Sequence, residues 1–105
     1  MPRKKAFVVL TVLFEKEKDG RWVATCKELG TSTYGNSIDD AQEKIEEAIG
    51  LHLNTLEEVG ERERFFQENN ITIFSSFPGD EIVMKVPARH EVFSQPFIKQ
   101  IAMVN

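Results

Sequence analysis

Tyr34-Gly35-Asn36-Ser37-Ile38-Asp39-Asp40-Ala41 decides the fold: here a strand-like run stops and a long amphipathic helix begins with its own cap. Ser37 is followed three residues later by Asp40. The Ser37 hydroxyl can accept from an early helix N–H, while the Asp40 carboxylate can reach back toward the Ser37 N–H. Asp39 and Asp40 also place negative charge in the first turn, where the helix macrodipole favours it by about 0.3–1 kcal/mol. From there Ile38, Ala41, Ile45, Ala48, Ile49, His52, Leu53, Leu56 and Val59 recur at the three-and-four spacing of one buried stripe, and Gly60 is placed to close the helix. Gly50, inside it, costs about 1 kcal/mol against alanine and reads as a close-packing point or a slight bend.

Upstream, Phe7-Val8-Val9-Leu10-Thr11-Val12-Leu13-Phe14 is β-branched and aromatic, with apolar residues at both parities. Such a strand should be covered on both faces. The long helix can cover one; the other must meet more of this molecule, a second copy or a different protein. The charged turn Lys16-Glu17-Lys18-Asp19-Gly20 leads into a second strand, Arg21 to Cys26, with Trp22, Ala24 and Cys26 on one side, so the pair reads as a β-hairpin. Lys27-Glu28-Leu29-Gly30 breaks the pattern, and Thr31 to Tyr34 is a short third strand.

Downstream, Glu61 to Glu68 predicts a short second helix with Phe65 and Phe66 on one side, ended by Asn69-Asn70. Ile71 to Phe74 returns to strand character. Ser75 to Asp80, with Pro78-Gly79, is a loop, and Glu81 to Val86 a further strand. Phe97-Ile98-Lys99-Gln100-Ile101-Ala102-Met103-Val104 is too apolar to be left in water, and is expected to dock as an extended arm on its own body or on a neighbour. The expected class is α+β: a three-stranded antiparallel sheet, a long helix on it, a returning strand, and extra C-terminal strands or an arm. One domain over 1–105 is expected, with 75–105 as its C-terminal extension.

With 105 residues and 41% hydrophobic content, the chain can build one small core but not two ordinary ones. No apolar run approaches the roughly 20 residues of a membrane span, and Met1-Pro2-Arg3-Lys4-Lys5 leads into a strand pattern rather than a signal peptide; a cytoplasmic location is expected. The single Cys26 cannot form an internal disulfide and reads as a small buried hydrophobe. A net charge of −4 argues against a nucleic-acid backbone as the main partner. The distribution says more than the sum. Between Ser37 and Val59 there are seven acids and one base, Lys44, a local balance of −6, which suits either a solvated face or a basic partner.

The order of strand, charged hairpin with Asp19-Gly20, strand from Trp22, Lys27-Glu28-Leu29-Gly30, short strand, then Gly35-Asn36-Ser37-Ile38-Asp39-Asp40-Ala41 resembles the HicB-type antitoxins of bacterial toxin–antitoxin pairs, over about Phe7 to Val59. In that family a Pro-Glu-Leu-like stretch follows the hairpin and a Gly-Asp-Thr/Ser-x-x-Glu-Ala-like stretch starts the helix. Here Lys27 stands for the proline, Asn36 for the Asp and Asp40 for the Glu. The resemblance implies a partial ribonuclease-H-like fold, and a function of binding and neutralising a small basic HicA-type toxin that cleaves messenger RNA. On that reading Asp39, Asp40, Glu43, Glu46 and Glu47 are toxin-interface candidates. Val8, Leu10, Val12, Phe97, Ile98, Ile101 and Met103 are candidates for a homo-oligomer interface. Many such antitoxins carry a C-terminal DNA-binding domain. The region after Ile71 shows no pair of helices and contains Pro78, Pro87 and Pro96, so direct DNA binding is not expected.

No enzyme pattern emerges. His52 lies on the apolar stripe and His90 beside Arg89 and Glu91, neither with metal-ligand spacing; His52 reads as a core-edge residue and His90 as a solvated one. Asp39, Asp40 and Glu43 would need strand carboxylates to build a nuclease cation site, and Phe7–Phe14, Trp22–Cys26 and Thr31–Tyr34 contain no acid. Ser32, Ser75 and Ser76 sit in no nucleophile elbow. No cofactor, metal or catalytic residue is expected. Arg3-Lys4-Lys5 reads as a solubilising start, and Trp22 as core beneath the helix or an interface anchor. The alternative to the antitoxin is a toxin-free, self-associating regulatory or ligand-binding module of the same fold.

Overall fold

A computed structural model describes residues 3–78 and 92–104, with side chains for 5–78 and 92–101. The elements are β1 (Arg3–Lys16), β2 (Trp22–Cys26), β3 (Thr31–Gly35), α1 (Ile38–Glu58), α2 (Arg62–Glu68), β4 (Ile73–Phe74) and β5 (Val92–Val104). The expected α+β class, an antiparallel sheet with a long helix, is what is found. The strand expected over Glu81 to Val86, and His90, lie outside the described residues.

β1 is the spine of the sheet. Along one edge it pairs with β2 from Val12 to Lys16 and with β4 at Phe7 and Val8. Along the other it pairs with β5 from Glu15↔Val92 to Arg3↔Val104. The C-terminal segment is therefore a strand of the same sheet. The basic start is likewise strand, with Arg3 to Lys5 paired to Val104 to Ala102. The hairpin turn closes with the Glu17 N–H on Arg21 O at 2.7 Å and with Gly20 at φ 90°, a value that favours glycine.

Pro96 sits in mid-strand without breaking the ladder. It stands opposite Thr11, whose carbonyl accepts from the Lys27 N–H at 2.9 Å and whose N–H donates to Glu28, both on the β2 side. The Thr11↔Pro96 pair is therefore not hydrogen-bonded, and the missing proline donor points away from β1, where a sheet tolerates it.

Side-chain alternation along β1 assigns the two faces. Ala6, Val8, Leu10, Val12 and Phe14 are buried against α1 and α2, together with Ala24, Cys26, Ala41, Ile45, Ile49, Leu53 and Phe66. Phe7, Val9, Thr11 and Leu13 are half-buried on the opposite face, which no described helix covers. Val8, Leu10 and Val12, expected at an oligomer interface, are core: Val8 and Leu10 are 0% exposed and Val12 3%. Apolar residues at both parities hide which parity the helix takes. Ile101 is also buried, at 8% exposure, Phe97 and Ile98 are half-buried, and Met103 contributes a backbone pair to Lys4, its side chain lying outside those described.

α1 begins as its cap requires. The Asp40 N–H donates to Ser37 Oγ at 3.1 Å. The returning bond is shifted by one residue: Asp40 Oδ2 accepts from the Asn36 N–H at 2.9 Å, not from Ser37. Gly35 makes this junction possible. A Cβ there would lie 2.7 Å from Ala41 Cα and 2.9 Å from Ala41 Cβ, so β3 hands over to α1 at a separation only glycine allows. The helix closes at Val59, which is exposed rather than on the buried stripe, and Gly60 follows at φ 74°. α2 buries Phe66 and is ended by Asn70 at φ 56°, with the Asn69 side-chain amide donating to Phe65 O at 2.9 Å.

Candidate functional site

The helix layer covers only part of the sheet. α1 packs across β3 and β2, while the side chains of β5 that point to the same face, Gln95, Phe97 and Lys99, remain half-buried or exposed. A furrow runs between α1 and β5. At the end nearer the helix N-terminus it is a cleft of about 100 Å³ lined by Val12, Phe14, Gln42, Ile45, Glu46 and the β5 residues from Gln95 to Ile98. At the other end it widens to about 250 Å³ between Leu53, Asn54 and Glu57 of α1, Arg62 of α2, and Lys99 to Ile101.

Gln42 and Glu46 line one end of this furrow and Asn54 the other; Gly50, spaced four residues from Glu46 and from Asn54, falls on the same side of α1 between them. Gly50 lies at its middle, and a Cβ there would meet nothing within 4 Å. The close-packing role expected of Gly50 is therefore not found: it opens onto space.

The five acidic candidates divide into two sets. Asp40 is occupied. Its carboxylate holds the Asn36 N–H and lies 3.2 Å from Lys44 Nζ, and these two partners, the backbone bond first, keep its pKa below the usual aspartate range. Asp39, Glu43, Glu46 and Glu47 are exposed on the helix. Gln42 Nε2 donates to Glu46 Oε1 at 3.4 Å, and Glu46 reaches the cleft itself. Helical phasing turns Asp39, Glu43 and Glu46 toward the β5 side and Lys44 toward the β3 side. The one base of the helix is thus spent on Asp40, away from the furrow.

At the far end Arg62, 6% exposed, pairs with Glu63 at 2.9 Å and Glu57 at 3.7 Å. Its guanidinium holds the Glu63 carboxyl below its ordinary range. His52 is structural: Nδ1 lies 3.0 Å from Thr31 Oγ1 and the ring packs on Phe65, joining β3, α1 and α2. Trp22 is half-buried beneath the helix and packs on Phe93 with ring centroids 5.8 Å apart, so it serves the core and also touches the exposed β5 end. Burial pushes the Cys26 thiol pKa up. Among the described residues no three His, Cys, Asp or Glu side chains converge on a point that could hold a metal ion, and no helix is long and apolar enough to cross a membrane.

Two features escape a reading of the sequence. Glu28, in the loop after β2, turns its carboxylate back to β1, where Thr11 N–H and Thr11 Oγ donate to it at 2.7 and 2.8 Å. The furrow itself depends on where β5 pairs, which no local pattern announces. No family model, curated protein or solved structure matches the chain.

Proposed function

We propose that this chain is a non-enzymatic antitoxin of the HicB type, which binds and neutralises a small basic protein. The observation that carries the reading is the exposed acidic run Asp39, Glu43, Glu46 and Glu47 along α1, of which Glu46 lines a cleft whose walls also include Val12, Ile45, Gln95 and Phe97. Interfaces of high specificity combine an apolar centre with a charged rim, and rim charge steers association with an oppositely charged partner. The sequence resemblance over Phe7 to Val59 supports one class of partner: a HicA-type toxin that cleaves messenger RNA.

The test is pull-down of the tagged chain from its native lysate at low and high salt, followed by expression of any recovered small basic protein with and without this chain. Growth arrest by that protein, relieved by this chain, is the expected result, with recovery reduced at high salt. Recovery of self-oligomers alone would overturn the antitoxin reading.

The second reading, a toxin-free self-associating module, is favoured by the outer sheet face. Phe7, Val9, Leu13 and Ile98 are half-buried there, and Phe77, 66% exposed, packs edge-on to Phe7 with centroids 5.8 Å apart. A second copy laid face to face would bury this surface. Sedimentation of the purified chain distinguishes monomer from dimer.

A further inference from the structure

We infer that the furrow between α1 and β5 receives a basic amphipathic helix of a partner protein, seated in the helix layer beside α1. The inference rests on the proposed reading of this chain as a protein binder and specifies where and by what chemistry it binds. It begins from dimensions. At the level of Val12 to Glu15, β3, β2, β1 and β5 lie side by side, about 14 Å between the outer strand axes, whereas one helix with its side chains is about 10–12 Å across. Among the described elements α1 packs on β3 and β2 and only β1 packs closely on β5, so the helix layer beside α1 is open above β5. From Gln95 to Ile101 the floor runs about 20 Å at strand rise, the length of about 13 helical residues.

The surface of the furrow suits a helix rather than a strand. Its floor is a row of side chains on a sheet face, with Phe97 beside the buried Val12 and Phe14; the backbone edge of β5 that β1 does not pair lies in the plane of the sheet, at the rim and not on this floor. A strand laid there would leave its own N–H and C=O groups unpaired, whereas a helix satisfies them internally. Gly50 removes the side chain from the middle of the α1 wall, so a neighbouring helix can approach more closely than the usual interaxial 8–10 Å. The charge of the partner follows from the rim. The β5 side of α1 carries Asp39, Glu43 and Glu46 without a base, since Lys44 is turned away and held by Asp40. Over Asp39 to Glu46 an acidic helix beside this wall would face like charges and a basic one opposite charge. Past Gly50 the furrow holds Lys99 on its floor and Arg62, paired with Glu57 and Glu63, so the basic residues of the partner helix belong at the Asp39–Glu46 end.

The test uses the full chain and two fluorescent 18-residue peptides with the same helical leucine spacing, one with lysine and one with glutamate at the polar positions, titrated by anisotropy. The lysine peptide should bind at least about tenfold more tightly than the glutamate peptide, and less tightly as salt rises. Glu46→Lys and Gly50→Trp, with unchanged far-UV circular dichroism and melting, should each weaken it by about tenfold or more. Glu17→Lys, the same charge change in the distant hairpin turn, should change binding by less than about twofold, and Gly50→Ala, which adds only a methyl group, should preserve it. Equal binding of the two peptides, no binding of either, indifference to Gly50→Trp, or a Glu17→Lys effect as large as that of Glu46→Lys would overturn the inference. Failure of the antitoxin reading looks different: the lysine peptide docks as described, while no protein's toxicity is relieved. Conversely, a toxin neutralised equally by Glu46→Lys and Gly50→Trp would retain the reading and remove this furrow from it.

Discussion

Glu28 stands against Thr11 where a strand is missing. β2 leaves the edge of β1 after the Val12↔Cys26 pair and β4 joins it only at Val8, so the Thr11 N–H would face an unpaired stretch. The two Glu28 oxygens take that N–H and the Thr11 hydroxyl, at 2.7 and 2.8 Å, in place of a neighbouring backbone. A charged acceptor on a part-buried donor contributes more than a neutral one. Glu28→Ala should therefore cost about 1–3 kcal/mol and Thr11→Val, which keeps the N–H bond, less. Urea denaturation of both variants at neutral pH measures the difference.

Gly35 and Gly50 should respond to alanine in opposite directions. At Gly35 the new Cβ would overlap Ala41 backbone that cannot move without shifting the start of α1, and overpacking of this kind costs about 1–3 kcal/mol or more. At Gly50 the methyl group enters open space, and helix propensity favours it by about 0.5–1 kcal/mol. Thermal melts should place Gly35→Ala below and Gly50→Ala above the parent chain.

Ser37→Ala should cost about 1 kcal/mol by leaving the Asp40 N–H without its cap. Asp40 adds a pH dependence. Its carboxyl pKa is lowered in the folded chain by the Asn36 N–H and by Lys44, so its contribution is present above the unfolded aspartate value of about 3.9 and is lost as pH falls below it toward the folded pKa. The acid limb of a stability–pH profile should be shallower in Asp40→Asn.

Cys26 should resist alkylation in the native chain. It is fully buried and its thiol pKa is raised by burial, so little thiolate forms at neutral pH. Iodoacetamide labelling followed by mass should be slow in buffer and fast in urea.

Local chemistry was legible where local chemistry decides the structure. The Ser37 cap, the Asp19-Gly20 turn, the α1 stripe through Ala41, Ile45, Ile49 and Leu53, and the Asn70 stop of α2 are all set by residues within a few positions of one another. What escaped depends on pairings across long stretches. With apolar residues at both parities, β1 does not disclose that Val8, Leu10 and Val12 face the helix. The hairpin held the clue: its register sets Phe14 and Val12 opposite Ala24 and Cys26, placing the even residues of β1 on the side of Trp22. The acidic rim was visible as composition, but Asp40 proved to be committed to the cap and the cleft beside Glu46 exists only because β5 pairs where it does. Glu28 was passed over as a turn residue because its partner, Thr11, lies 17 positions away.

The pairing of β1 with β5 also governs how the chain reaches its native state. The two strands meet across 77 residues at Glu15↔Val92 and 101 at Arg3↔Val104. Closing loops of that size is entropically costly before any contact compensates, and chains dominated by such pairings fold in milliseconds to seconds rather than microseconds. During synthesis the hairpin and α1 emerge first, while one whole edge of the longest strand waits for its partner. That interval, rather than the finished fold, is where this protein is most exposed to misassembly, and a chaperone that shields β1 until β5 arrives would raise its yield without changing its stability.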